Sequence, residues 1–111
     1  MDKPQHKYGH DIWMAIQKIE SYVVGMSQQQ YLLDHKTKDA VERNFEIIGE
    51  AINQLRKIAP AQVENIRDYR KIIGFRNQLI HGYDMISDPI TWDIIQQKLP
   101  LLKEDIAQFM L

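Results

Sequence analysis

The chain has 111 residues, 44% apolar and 26% charged, a balance too apolar for a disordered segment and too short for two convincing cores. Its 14 Lys+Arg against 15 Asp+Glu give a formal net charge of −1, which excludes a global cationic field for nucleic acid, so any such contact must be local. The absence of cysteine excludes disulfides, thiolate metal sites and a cysteine nucleophile, and fits a reducing compartment.

The first segment, MDKPQHKYGHD, is polar and lacks the apolar stretch of a secretory signal, and no apolar run approaches the roughly 20 residues of a membrane-spanning helix. The expectation is a single cytoplasmic domain over residues 1–111 that does not associate with membranes. Ile12, Ala15, Ile16, Ile19, Val23 and Met26 recur at steps of three and four, which predicts an amphipathic helix from about residue 10 to about residue 29, weakened at Gly25. A second helix is expected to begin at Thr37 as its N-cap, with Val41, Phe45, Ile48, Ile52, Leu55 and Ala59 on one face, and to stop at Pro60. Its other face (Arg43, Glu46, Glu50, Asn53, Lys57) reads as solvated, with charges paired three or four residues apart.

A short turn, Ala61 to Ile66, is expected before a third helix from about Asp68 to about Gly82. After a loop, Asp88 as N-cap and Pro89 open a final helix carrying Ile90, Ile94, Ile95, Leu99, Leu102, Ile106 and Phe109, which Pro100 should kink or divide. No convincing alternation of apolar and polar residues marks a strand. The fold class is therefore all-α, an antiparallel up-and-down bundle of four to five helices.

The third helix breaks the pattern. Tyr69, Ile72, Ile73, Leu79 and Ile80 define a stripe that also contains Arg76 and Tyr83. An arginine on the core side cannot shed its charge and needs a carboxylate, an anionic ligand or an interface. His81 lies about 140° around a regular helix from Arg76, in line with Asn77 and Gly74. Two arrangements would bring Arg76 and His81 together: the helix ends near Gly82 and frees His81 to swing, or a second copy of the chain supplies the missing partner across a symmetric cleft, which we favour. Histidine exchanges protons near neutral pH, and arginine offers paired donors to a phosphate. Together they suffice for RNA cleavage by attack of a ribose 2′-hydroxyl on the neighbouring phosphorus, with Asn77 orienting the imidazole and Tyr83 bonding the phosphate or base. On spacing alone the same residues also fit a core-edge ion pair beside a surface histidine.

The strings RNFEIIGEA (43 to 51) and KIIGFRNQLIHGYD (71 to 84) resemble the HEPN superfamily, specifically the HepT-like ribonuclease toxins encoded beside a minimal nucleotidyltransferase antitoxin. Arg76, His81 and Tyr83 supply that group's motif: Arg, four residues, His, any residue, Tyr. The resemblance runs from AIQKIESYVVG through LPLLKEDI. It implies a HEPN-like helical homodimer that cuts RNA without metal or cofactor, as in a type VII-like toxin-antitoxin pair, with Arg76 and His81 catalytic and Asn77 and Tyr83 supporting. It also implies that the antitoxin blocks the nuclease by AMPylation of Tyr83. One departure is the stretch Ile66-Arg67-Asp68-Tyr69, where relatives often carry Trp. The alternative is a non-catalytic helical subunit that binds a nucleotide or partner within a nucleotidyltransferase complex.

His6, His10 and Asp11 have a spacing that fits a metal on a helix, but lie in a polar terminal segment expected to fray. His35 reads as part of a solvated loop, and Trp13 and Trp92 as packing anchors. No glycine-rich phosphate loop, catalytic serine motif or zinc-ligand cluster is present.

Overall fold

The longest helix of the computed structural model, α3 (His35–Ile58), is the spine of the fold. The structure describes residues 4–81 and 88–110. Before α3 come α1 (Pro4–Val23) and α2 (Gln28–Leu33); after it come α4 (Pro60–Val63), α5 (Tyr69–Ile80), α6 (Asp88–Gln97), α7 (Leu99–Ile106) and a closing 3₁₀ turn (Ala107–Met110). The chain is an all-α bundle, and no strand occurs among the described residues. Helix α3 packs on α1 along one side and on α5 along another, while α7 and the 3₁₀ turn lie against α1 and α6 reaches α2.

The apolar stripes are buried as their spacing requires. Ile12, Ala15, Ile16, Ile19 and Val23 of α1 meet Val41, Phe45, Ile48, Ile52 and Leu55 of α3. Each fully buried aliphatic side chain contributes about 1.5–3 kcal/mol relative to exposure, so this seam is the main source of cohesion. Leu99, Leu102, Ile106 and Phe109 close the core from the C-terminal side.

The ends of α1 differ from expectation. Among the described residues it is already helical at Pro4, ahead of the expected start near residue 10, and it stops at Val23 because Gly25 takes a left-handed φ of 77°. Residues beyond that turn form the separate helix α2, opened by a capping box: Ser27 Oγ accepts from the Gln30 N–H at 3.1 Å, and Gln30 Oε1 accepts from the Ser27 N–H at 2.9 Å. Tyr31 of α2 is fully buried, with its ring 5.2 Å from that of Trp92.

Thr37 is not the cap of α3. Asp34 caps it, accepting the Thr37 backbone N–H at 3.0 Å and its hydroxyl at 2.8 Å, and these bonds hold the Asp34 carboxyl below its ordinary range. His35 accordingly sits exposed in the first turn of α3 and not in a loop. Pro60 both ends α3 and starts α4. Pro100 divides the last helical segment: α6 ends at Gln97 and Pro100 occupies the first turn of α7, where its missing N–H has no helical partner to lose.

Long-range ion pairs tie the periphery to this frame. Lys38 on α3 meets Asp88 of α6 at 2.9 Å, and Lys103 on α7 meets Glu20 of α1 at 2.9 Å. Arg67, in the connection before α5, grips Asp105 of α7 through Nη2 at 2.9 Å and Nε at 3.1 Å, while its backbone N–H donates to the same carboxylate at 2.9 Å. No helix among the described residues is long and apolar enough to cross a membrane.

Candidate active site on the seam between α3 and α5

Helix α5 departs from its expected stripe. Tyr69 and Ile73 are buried, Ile72 and Leu79 are half-buried, and Phe75 joins them by packing edge-on to Phe45 at 5.2 Å. Ile80, expected in the core, is 45% exposed in the last turn of α5.

Arg76 lies on the contact side, as its place in the stripe demanded. Its carbon stem crosses α3 at Gly49, where a Cβ would overlap the Cβ of Arg76 and come within 2.6 Å of its Cγ. Only glycine permits this approach. Nη2 then reaches Glu50 Oε2 at 2.8 Å, and Nη1 donates to Asn77 Oδ1 at 2.8 Å. The other oxygen of Glu50, Oε1, accepts from Gln54 Nε2 at 2.7 Å. Nε of Arg76 is buried without a hydrogen-bond partner. The Arg76 side chain is 24% exposed and that of Glu50 44%, so the charged end lies at the surface edge of the seam.

The awkward arginine therefore finds a carboxylate in its own chain. Glu50 is not part of a purely solvated face of self-paired charges: Arg43 does pair with Glu46 at 3.3 Å along α3, but Glu50 is turned toward α5. Gly49, Glu50 and Gln54 are the site residues that sequence reasoning passed over. The available signal was an isolated glycine inside an otherwise strong helix, which costs about 1 kcal/mol relative to alanine and commonly marks a close backbone approach.

His81 caps the C-terminus of α5 and is exposed. It keeps a right-handed helical conformation (φ −77°, ψ −3°), and its N–H bonds the Asn77 carbonyl at 3.1 Å. The helical path thus continues through His81, and five residues of regular helix leave it about 140° around from Arg76. Within one chain the backbone of the helix end does not redirect the Cα–Cβ bond of His81 toward Arg76. Tyr83, and the helix end expected near Gly82, lie outside the described residues.

The remaining candidates have structural settings. Asp11 pairs with Lys7 at 3.4 Å, and no group of three or more His, Asp or Glu side chains that could hold a metal occurs among the described residues, His6 and His10 included. Trp13 packs at the edge of the core with Lys103 over its ring at 5.4 Å, and Trp92 packs on Tyr31, both as anchors.

Residues 12–109 match the family model described as Ribonuclease HepT-like. The chain belongs to the HepT-like family. A protein of Thermococcus cleftensis named "Probable ribonuclease HepT" is 33% identical over 106 residues, covering 91% of this chain and 92% of its own length. A Methanocaldococcus jannaschii protein named "Gamma-glutamylcyclotransferase and putative RNase" is 30% identical over 110 residues, covering 99% of this chain. The HepT-like chain spans about half of that relative, 49% of its length. A Caldanaerobacter subterraneus protein named "Putative RNase" is 30% identical over 88 residues, covering 79% of this chain and 78% of its own. No solved structure matches the chain.

Proposed function

We propose that this HepT-like chain is an endoribonuclease that works without metal, with Arg76 and His81 from two copies meeting in a shared cleft. The observation that carries the reading is the built arginine. A guanidinium seated over a glycine, held at both terminal nitrogens and left partly open to solvent, supports reading Arg76 as a donor to a phosphate. The helical path through His81 favours a second copy as the source of the facing histidine, and exposed Ile80 on the same helix offers apolar surface for that contact.

In this mechanism one His81 removes the proton of a ribose 2′-hydroxyl, whose oxygen attacks the adjacent phosphorus. The P–O5′ bond breaks, the departing O5′ takes a proton from imidazolium, and the products are a 2′,3′-cyclic phosphate and a free 5′-hydroxyl. Arg76 stabilises the charge that builds on the phosphorane, a role in which one donor is worth about 100- to 1,000-fold in turnover. Asn77, bonded to Arg76, keeps that donor in place, and Tyr83 contacts the phosphate or base. The same reading makes the chain the toxin of a toxin-antitoxin pair. A minimal nucleotidyltransferase would silence it by transferring AMP from ATP to the Tyr83 hydroxyl with release of pyrophosphate, placing a bulky anion beside Arg76.

The test is cleavage of single-stranded RNA by purified protein in excess EDTA. Cleavage that persists, is lost in His81→Ala and Arg76→Ala, and stops when Tyr83 gains the mass of an AMP group supports the proposal. RNA left intact by the unmodified protein, or activity lost with the chelator, overturns it; intact RNA with retained partner binding would favour the non-catalytic subunit.

A further inference from the structure

An arginine that must meet a phosphodiester in one orientation needs more than proximity, because its long side chain has many rotamers and its selectivity lies in the plane of the guanidinium. Three contacts fix that plane. Gly49 holds the stem against α3, Glu50 Oε2 takes Nη2 at 2.8 Å, and Asn77 Oδ1 takes Nη1 at 2.8 Å. Glu50 is itself held, since Gln54 one turn further along α3 donates to its other oxygen at 2.7 Å. The chain of contacts Gln54, Glu50, Arg76, Asn77 thus runs from the rigid spine of the fold to the motif.

We propose that Glu50, held by Gln54, is a positioning residue that aims the guanidinium of Arg76. Its functional consequence rests on the ribonuclease reading, whereas the geometry does not. A guanidinium carries five N–H donors; Nε is buried, Nη1 donates to Asn77 and Nη2 stands 2.8 Å from Glu50 Oε2, so the terminal nitrogens keep N–H donors for an incoming anion. The single contact from Glu50 therefore orients Arg76 without spending all of its donors. A carboxylate there to occlude the arginine would have the opposite kinetic signature, because its removal would free the site.

The test has two arms on the full-length protein. In heteronuclear NMR of isotope-labelled protein, the side-chain signals of Arg76, assigned by their loss in Arg76→Lys, should show slow rotation of the guanidinium. Glu50→Ala should bring those signals into fast averaging, with Glu50→Gln and Gln54→Ala intermediate. In steady-state RNA cleavage, Glu50→Ala should lower kcat by up to about 100-fold, the scale of a misplaced catalytic group. KM should change far less, within about threefold, because aim and not substrate affinity is lost. Glu50→Gln keeps an acceptor oxygen and should restore part of kcat, which a merely destabilised fold would not. Arg76 signals unchanged in Glu50→Ala, or a rise in turnover in that variant, overturn the proposal. Should Arg76→Ala cleave like the wild type, the ribonuclease reading falls and the NMR arm alone decides whether Glu50 aims the arginine.

Discussion

The contact between Gly49 and Arg76 makes a prediction whose sign runs against helix propensity. In isolation Gly→Ala inside a helix stabilises by about 1 kcal/mol. At Gly49 the added methyl would overlap the Cβ of Arg76 and lie 2.6 Å from its Cγ. A Cβ has no rotamer by which to escape, so α5 must shift away from α3. Overpacking of this kind costs about 1–3 kcal/mol, and the shift also loosens the edge contact of Phe45 with Phe75 and the pair of Arg76 with Glu50. The expected net effect of Gly49→Ala is a loss of about 1–3 kcal/mol, written as the overpacking and contact losses less the propensity gain. Gly74 is the internal control: it is helical and exposed, and a Cβ there meets nothing within 4 Å, so Gly74→Ala should gain about 0.5–1 kcal/mol. Urea unfolding at one fixed protein concentration separates the two, and for a chain of this size each kcal/mol corresponds to roughly 4–8 °C in Tm. Equal stabilisation by both substitutions would refute the close approach on which the site is built.

Two further outcomes follow from polar groups held within the fold. The Tyr31 hydroxyl is buried without a hydrogen-bond partner, and burial, with the charge of Asp88 adding to it, pushes its ionisation well above the ordinary range. Tyr31→Phe removes an unpaired donor while keeping the ring on Trp92, so it should be neutral or stabilising by up to about 1 kcal/mol; a loss greater than that contradicts the unpaired hydroxyl. Burial opposes the charged form of Asp105, but the Arg67 side chain and backbone N–H outweigh it and hold the carboxyl below its usual value. A carboxyl lowered in the folded state adds stability that is complete above its unfolded value and is lost as pH falls through the folded one, so acid titration from about pH 5 downward should destabilise wild type more steeply than Asp105→Asn. Parallel acid-unfolding curves would remove that role.

The core was legible because its signal is periodic: Ile12 to Val23 and Val41 to Leu55 needed only the spacing of apolar side chains. The ends were less so, since a cap is decided by one side-chain bond. Asp34 and Thr37 are both competent caps, and the choice fell to the residue whose carboxylate reaches two donors at once. Gly25 reads as a weak point in a helix but acts as its terminator, because only the observed left-handed φ distinguishes the two. At the site, Arg76 was conspicuous as a charge on an apolar stripe. Its partners were not, because Glu50 and Gln54 look like any solvated pair one turn apart until the glycine beside them lets α5 descend onto α3. Ile80 misled for the converse reason: periodicity says which side of a helix it occupies, not whether a neighbour covers it.

The claim that most needs a direct answer is that the nuclease site is assembled from two chains. Arg76→Ala and His81→Ala proteins, each inactive alone, should regain RNA cleavage when unfolded together, refolded and assayed in excess EDTA, because a mixed dimer then holds one site with an intact arginine and an intact histidine. A mixture as inactive as its components, although mixed dimers have formed, would contradict the account.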